Sequence, residues 1–424
     1  MNIKKVIIEN GAIQKLPMVL NELAVTGPIL LVADNHTYRV AGELVKQFLV
    51  KDGFQLREAV LDRDAELIPD EKALGEILIG MEPGIKVLVA VGSGSITDLT
   101  RFIACRFGKP FIAVPTAPSM DGYASPVAAL TINGYKQTVS ATPPLAIIAD
   151  PDILAKAPAG MIRSGFGDLL GKYTALADWK LSSIINSESY SEEIAAQVRT
   201  TVDRTVAHLQ GTITSPETIR NLMEGLIASG AAMLEWGNSR PASGAEHHLA
   251  HFWEMSRAGA QAALTGKKYP SHGIKVGVAT VLAAELYHRL FDLELVELKR
   301  CIAHYRPEPE ASFRARIHQV YGPLAGDILT NLKGCYQDRK AQAARQERIL
   351  ANWENMRIWV KDHLPAPERL RELIAKIGAP VEPSEIGIQP DMVTLALQNA
   401  KEVRERYTIF RLAEDIYGDQ TGSP

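Results

Sequence analysis

Cysteine is scarce in this 424-residue sequence: Cys105, Cys301 and Cys335 are far apart and odd in number. That argues against a disulfide framework and a cysteine-built zinc site, and leads us to expect a reducing cytoplasm. No stretch approaches the ~20 uninterrupted apolar residues of a spanning helix. The opening MNIKKVIIENGAIQKLP has two lysines but no long apolar run behind them, so no secretory signal is expected. An excess of one charge is missing too. The 46 Lys and Arg face 49 Asp and Glu, a net charge of -3, so bulk electrostatics draws the chain to neither nucleic acid nor an anionic membrane. Repeats, low-complexity tracts and flexible linkers are absent, as are G-x-G-x-x-G, the Gly-Lys-Ser/Thr of a Walker loop and the His-Glu-x-x-His of a metalloprotease.

What remains is an ordinary globular composition, 46% hydrophobic and 22% charged, in a chain too long for one compact core. The first ~150 residues alternate short apolar runs with amphipathic stretches, the βα rhythm of a parallel sheet. Pro28–Asp34, Lys86–Val91 and Pro110–Pro115 are buried-strand candidates, with helices between them at Val40–Lys51 and Ile96–Phe107. Val127–Ile132 and Tyr135–Val139 then read as two strands joined at Asn133-Gly134, a pair suited to a two-residue turn of positive φ. Leu145–Ala149 closes the strand-rich half. From Ile153 onward the apolar spacing is helical, in Gly165–Leu181, Ser191–Leu209, Ser215–Trp236 and Val276–Arg289. A charged helical tail follows, interrupted near Pro307 and Pro309, near Pro365 and Pro367, and near Pro380 and Pro383. The expected architecture is an α/β nucleotide-binding domain, residues 1–152, with a parallel sheet and a hairpin, followed by an all-α domain, residues 153–424.

Two stretches suit a dinucleotide. Val87–Val91 runs into Gly92-Ser93-Gly94-Ser95-Ile96-Thr97-Asp98 and then an amphipathic helix. Small residues let backbone N–H groups approach a pyrophosphate, and a helix N-terminus adds partial positive charge; such a turn is equally a plain tight connection. Asp34, at an earlier strand end, can accept from a ribose hydroxyl and disfavour a 2′-phosphate, or simply open the turn Asp34-Asn-His-Thr. The strand at Pro110–Pro115 leads into Thr116-Ala-Pro-Ser119-Met-Asp121-Gly-Tyr-Ala-Ser125. Thr116 and Ser119 can hold a cofactor there and Asp121 can face a substrate hydroxyl, whereas Asp121-Gly122 alone is a turn pair.

Three pieces of the helical half carry metal-ligand types: Asp168 in Gly165–Lys172, His247-His248 and His251 in Ser243–His251, and His272 opening a helix. A carboxylate and two imidazoles suit a divalent cation such as Zn²⁺, and three protein ligands leave a position open for substrate. His247 and His251, four residues apart, share a helix face while His248 points elsewhere. Spacing does not say which of the pair is the ligand.

In this order, Gly92–Asp98, Pro115–Pro126, Gly165–Thr174, Ser243–Trp253 and Ser271–Gly277 resemble the superfamily of iron-containing alcohol dehydrogenase, glycerol dehydrogenase and dehydroquinate synthase. Within it the sequence is most similar to the sn-glycerol-1-phosphate dehydrogenase family of bacterial type, over roughly residues 1–290. The resemblance implies a dehydroquinate synthase-like fold and a homodimer. It implies reversible, NAD(P)H-linked reduction of dihydroxyacetone phosphate to sn-glycerol 1-phosphate, for glycerophospholipid-type precursors. It makes Asp168, His247 and His272 the ligands of one ion, Ni²⁺, Zn²⁺ or Fe²⁺. Asp121, His251 and Asp168 would then meet substrate and Ser125 the cofactor. The alternative is a glycerol dehydrogenase acting on unphosphorylated glycerol or dihydroxyacetone, which would lack a phosphate contact. Lys136, Arg163, Lys172 and Lys275 are the basic candidates for that contact, none diagnostic by spacing.

Overall fold

The computed structural model describes residues 3–64, 67–133, 135–209, 212–255, 270–332 and 339–418. Eight strands are present among them: β1 (Lys5–Ile8), β2 (Ile29–Asp34), β3 (Leu56–Leu61), β4 (Val87–Gly92), β5 (Phe111–Pro115), β6 (Val127–Ile132), β7 (Tyr135–Ser140) and β8 (Ala146–Ala149). Six form a parallel sheet in the order β1-β8-β5-β4-β2-β3, and β6 and β7 form an antiparallel hairpin. Every residue of β4, β5 and β8 is buried, as expected of strands covered on both faces. Edge strands β1 and β3 differ. Both are half exposed, and their mixed composition, KVII and LREAVL, conceals them from a search for apolar runs. In the hairpin, Ile132 pairs with Tyr135, and Asn133 takes the left-handed conformation the turn requires, with φ 51°. Gly134 lies outside the described residues.

No strand follows β8 among the described residues. The expected helix over Gly165–Leu181 is two, Ala159–Leu170 and Lys172–Asn186, with Gly171 capping the second. Helices Glu192–Ala207, Pro216–Trp236, Ala245–Met255 and His272–Phe291 follow. The prolines punctuate the tail as anticipated: Pro309 caps Glu310–Tyr321, and Pro367 opens Pro367–Lys376, where its missing N–H costs nothing. No described helix is long and apolar enough to cross a membrane.

The chain divides into two compact units. The first comprises Met1–Leu169, Thr200–Asn238 and Ala260–Gly273, and the second Leu170–Arg199, Ser239–Gly259 and Ile274–Pro424. The first is built on the sheet, where Leu31, Val89, Val91, Ile112 and Ile148 pack with Leu16, Val45 and Leu49. Each such buried side chain contributes roughly 1.5–3 kcal/mol. The second has an aromatic core in which Trp179, Trp253, Trp353, Tyr287 and Phe410 are buried, with the Phe291 ring stacked 4.6 Å from that of Trp353.

Candidate functional site

The glycine loop sits where the sequence implies, between β4 and the helix Gly94–Arg106. Ser93 is its N-cap, but its hydroxyl accepts no hydrogen bond from the first turn, so the N–H groups there, which have no intrahelical acceptor, gain none from the cap. Ser93, Gly94 and Ser95 are half-buried, whereas Ile96 through Arg101 are buried. The next strand end is level with it: Gly92 pairs with Pro115, and the Thr116 N–H donates to Gly92 O at 3.2 Å. Small residues and unclaimed N–H groups at the carboxyl edge of a parallel sheet suit a pyrophosphate.

Arg101 organises this edge, and sequence reasoning missed it. Its guanidinium is fully buried, and Nη1 meets Asp98 Oδ1 at 2.8 Å and Val127 O at 2.6 Å. Nη2 donates to Gly122 O at 2.5 Å and Tyr123 O at 2.8 Å. Asp98 Oδ2 in turn accepts from the Ala129 N–H at 3.2 Å. Ser125 is also enclosed, its hydroxyl donating to Gly122 O at 3.1 Å and receiving Arg101 at 3.3 Å. Asp98 and Ser125 therefore hold the loop Thr116–Val127 to the glycine-loop helix. Asp34 caps its own short helix: Oδ1 accepts the His36 and Thr37 N–H groups at 2.8 and 2.7 Å.

Asp121 and Asp168 meet directly, the Asp121 N–H donating to Asp168 Oδ2 at 2.9 Å. The Asp121 carboxylate accepts from the Ser229 hydroxyl at 2.9 Å, and Ser119 O from the Ser164 hydroxyl at 3.0 Å. Two glycines permit these approaches. A Cβ on Gly165 would stand 1.9 Å from Pro118 O, and one on Gly273 would stand 1.9 Å from Ser164 O. No other residue fits, so the helix bearing Asp168, the Asp121 loop and the chain beside His272 are held closely together.

His247 is buried on the helix Ala245–Met255, with Nδ1 2.8 Å from Glu246 Oε1. Glu246 also accepts the Gly244 N–H at 2.6 Å and the Thr174 hydroxyl at 2.5 Å. Burial alone would raise its pKa; His247, Thr174 and the Gly244 N–H outweigh this and hold it below the usual range. A carboxylate on Nδ1 leaves His247 Nε2 with its lone pair, the arrangement found behind metal-ligating imidazoles. Asp178 fixes the start of this helix, accepting the Ala245 N–H at 2.6 Å and the Tyr287 hydroxyl at 2.6 Å.

Asp168 and His272 belong to the first unit and His247 to the second; one carboxylate and two imidazoles are a donor set that fits a divalent cation. The His251 ring stands 6.0 Å from that of His247, with Nδ1 3.0 Å from Glu254 Oε2 and Nε2 3.2 Å from Arg404 Nη2. Because a guanidinium only donates, Nε2 carries the lone pair and Nδ1 the proton. His248 is buried, neither ring nitrogen having a hydrogen-bond partner among the described residues; burial first, then Arg404 and Arg406, hold its pKa well below the ordinary value. Of the basic candidates, Lys275 pairs with Glu254 at 2.9 Å, Lys172 is buried, Arg163 is half-buried, and the Lys136 side chain lies outside the described residues.

The family model for iron-containing alcohol dehydrogenase matches residues 7–158. The glycerol-1-phosphate dehydrogenase [NAD(P)+] of Halalkalibacterium halodurans is 35% identical over 402 residues, 94% of this chain and 89% of that protein. The enzyme of the same name from Geobacillus thermodenitrificans is 32% identical over 96% of this chain and 91% of its own length. Among solved structures, glycerol dehydrogenase from Schizosaccharomyces pombe superposes with TM-score 0.62 at 16% identity, covering 100% of this chain and 88% of that one. At that identity the likeness concerns the fold.

Proposed function

This chain belongs to the glycerol-1-phosphate dehydrogenase family, and from that premise we propose that it reduces dihydroxyacetone phosphate to sn-glycerol 1-phosphate, reversibly, with a nicotinamide nucleotide. The observation carrying this reading is identity of 35% sustained over 94% of the chain. The product would serve as a precursor of glycerophospholipid type.

Residues 1–152 would hold the nucleotide. The N–H groups after Ser93 face its pyrophosphate, Thr116 and Ser119 line its path, and Asp34 keeps Oδ2 for a ribose hydroxyl, which favours NADH. Residues 153–424 would hold metal and substrate. Asp168, His247 and His272 would hold one divalent cation, which when bound would supply Lewis-acid polarisation of the ketone while the nicotinamide would supply hydride. Glu246 fixes the ring of His247 through Nδ1, and the Asp121 N–H fixes one oxygen of Asp168. Asp121, oriented by Ser229, holds a substrate hydroxyl. His251 stands on the substrate side, where its Nε2, once released from Arg404, can accept the hydroxyl proton that leaves as the alcohol is oxidised.

The test is NADH and NADPH oxidation by protein freed of metal with a chelator and then resupplied with Ni²⁺, Zn²⁺ or Fe²⁺. Dihydroxyacetone phosphate and dihydroxyacetone are offered in parallel. Turnover that needs the cation and strongly favours the phosphorylated ketone is expected. Equal use of both ketones would replace this reading by a glycerol dehydrogenase.

A further inference from the structure

We propose that Arg404 and Arg406, in the C-terminal tail, form the subsite for the phosphate group of the substrate; this rests on the preceding reading. Val403–Thr408 is a non-helical segment in which the two arginines, two residues apart, converge on one hydroxyl. Arg406 Nη2 donates to Ser239 Oγ at 2.8 Å, and Arg404 Nη1 approaches the same oxygen at 3.5 Å. Arg406 Nη1 donates to Ser243 O at 3.0 Å. Both arginines are half-buried residues whose charged ends lie largely out of water.

The neighbouring cations differ in a telling way. Arg240 is buried but paired with both oxygens of Glu188, at 2.9 and 2.8 Å, and Lys275 is paired with Glu254 at 2.9 Å. The hydrogen bonds of Arg406 go to neutral oxygens. Two like charges brought to one serine repel, and a guanidinium taken largely out of water with only neutral acceptors is costly to hold. Burial, then Arg404 and Arg240, accordingly push Arg406 down to about 9. A phosphate dianion, which guanidinium groups bind in bidentate fashion, would relieve both costs. Ser243 adds a buried hydroxyl with no hydrogen-bond partner among the described residues.

Position supports the same occupant. Arg404 Nη2 is 3.2 Å from His251 Nε2, and the His251 ring is 6.0 Å from that of His247. A phosphate on the arginines would therefore set the rest of a three-carbon substrate against His251. The segment is also fixed before any ligand arrives. Asp178 accepts the Ile409 N–H at 2.7 Å, Tyr407 O receives Arg240 at 2.8 Å, and the Tyr407 hydroxyl donates to Asp415 at 2.7 Å. Little ordering remains to be done on binding.

The experiment compares the metal-loaded enzyme with its Arg404→Gln, Arg406→Gln and Arg406→Lys variants. It reads kcat/KM for dihydroxyacetone phosphate and dihydroxyacetone, and calorimetric titration with inorganic phosphate. Arg406→Gln is expected to lower the ratio of the two kcat/KM values by about 100-fold, mostly through KM, with roughly a tenth of that loss persisting in Arg406→Lys. Phosphate heats should be present in the unaltered enzyme and absent in Arg406→Gln. Equal losses on both ketones, or undiminished phosphate binding by the Gln variants, would overturn the subsite. If the variants do not fold, the unaltered enzyme decides: phosphate must bind and compete with dihydroxyacetone phosphate, and failure to do so refutes the proposal. A phosphate preference that survives both Gln substitutions sinks the subsite alone, whereas no preference in the unaltered enzyme sinks the function with it.

Discussion

Gly165→Ala adds one methyl to the first turns of the helix that carries Asp168. Its Cβ would lie 1.9 Å from Pro118 O, a backbone atom that cannot swing aside as a side chain can. An ordinary contact needs about 3.4 Å, so helix and loop must part by roughly 1.5 Å. Asp168 is one turn further along, and its 2.9 Å hydrogen bond from the Asp121 N–H spans the same gap. That bond should break and the ligand oxygen should move. Displacement of about 1 Å at a reacting centre costs on the order of 100-fold in rate, and overpacking of this kind costs about 1–3 kcal/mol. The control is Gly160→Ala on the same helix, where an added Cβ meets nothing within 4 Å. It should be neutral or stabilising by up to about 1 kcal/mol. Thermal melts and turnover of dihydroxyacetone phosphate, measured on both variants, check this. If Gly165→Ala matched Gly160→Ala in both readouts, the close approach would not be what positions Asp168.

Glu246→Gln should weaken cation binding about 10- to 100-fold by releasing His247 Nδ1, measured as metal retained against graded chelator, and an unchanged affinity would count against the pairing. His247→Ala should lose both cation and turnover, whereas His251→Ala should keep the cation and lose rate; the reverse pattern would exchange their roles. Removing the cation should destabilise the fold by about 2.7 kcal/mol relative to the protein at a hundredfold excess of metal over Kd, seen in the melting temperature and reversed on resupply. Asp178 is pushed up to about 7 by burial and by Glu246, against the pull of Tyr287, Arg240 and the Ala245 N–H. With the folded pKa above the unfolded one, its stabilising contribution is full at low pH and is lost as pH rises through about 7. Melts between pH 5 and 8 should show that decline, and Asp178→Asn should flatten it.

The interior strands were legible because burial on both faces demands uninterrupted apolar runs, and β2, β4, β5 and β8 supply them. The edge strands were not, since one half-exposed face admits Lys5, Arg57 and Glu58. Site residues followed the same division. The proposed ligands Asp168, His247 and His272 announce themselves by residue type, although spacing alone left His247 and His251 interchangeable. Arg101 reads as one more charge on an amphipathic helix, because only the folded loop brings Gly122, Tyr123 and Val127 to it. Arg404 and Arg406 stand in a charged stretch, KEVRERYT, that looks solvated until the chain returns over 153 residues to His251. The Glu246–His247 pair did leave a signal, a carboxylate directly preceding a candidate ligand.

The buried Arg101 clamp also sets which parts of the cofactor region can be altered separately. Lysine, a point charge with three donors, cannot replace a planar fork that engages Asp98, Ser125 and three carbonyls at once. Insertions in Gly122–Val127 would have to be matched by compensating changes on the neighbouring helix, so the two segments can diverge only as a pair. Asp34 is under no such bond. It caps a three-residue helix through one oxygen, and a serine there would keep a cap while removing the negative charge. With Asp34 at the ribose, as proposed, preference between the two nicotinamide nucleotides is open to single-residue exchange at β2, while the glycine-loop edge is frozen by its own internal wiring.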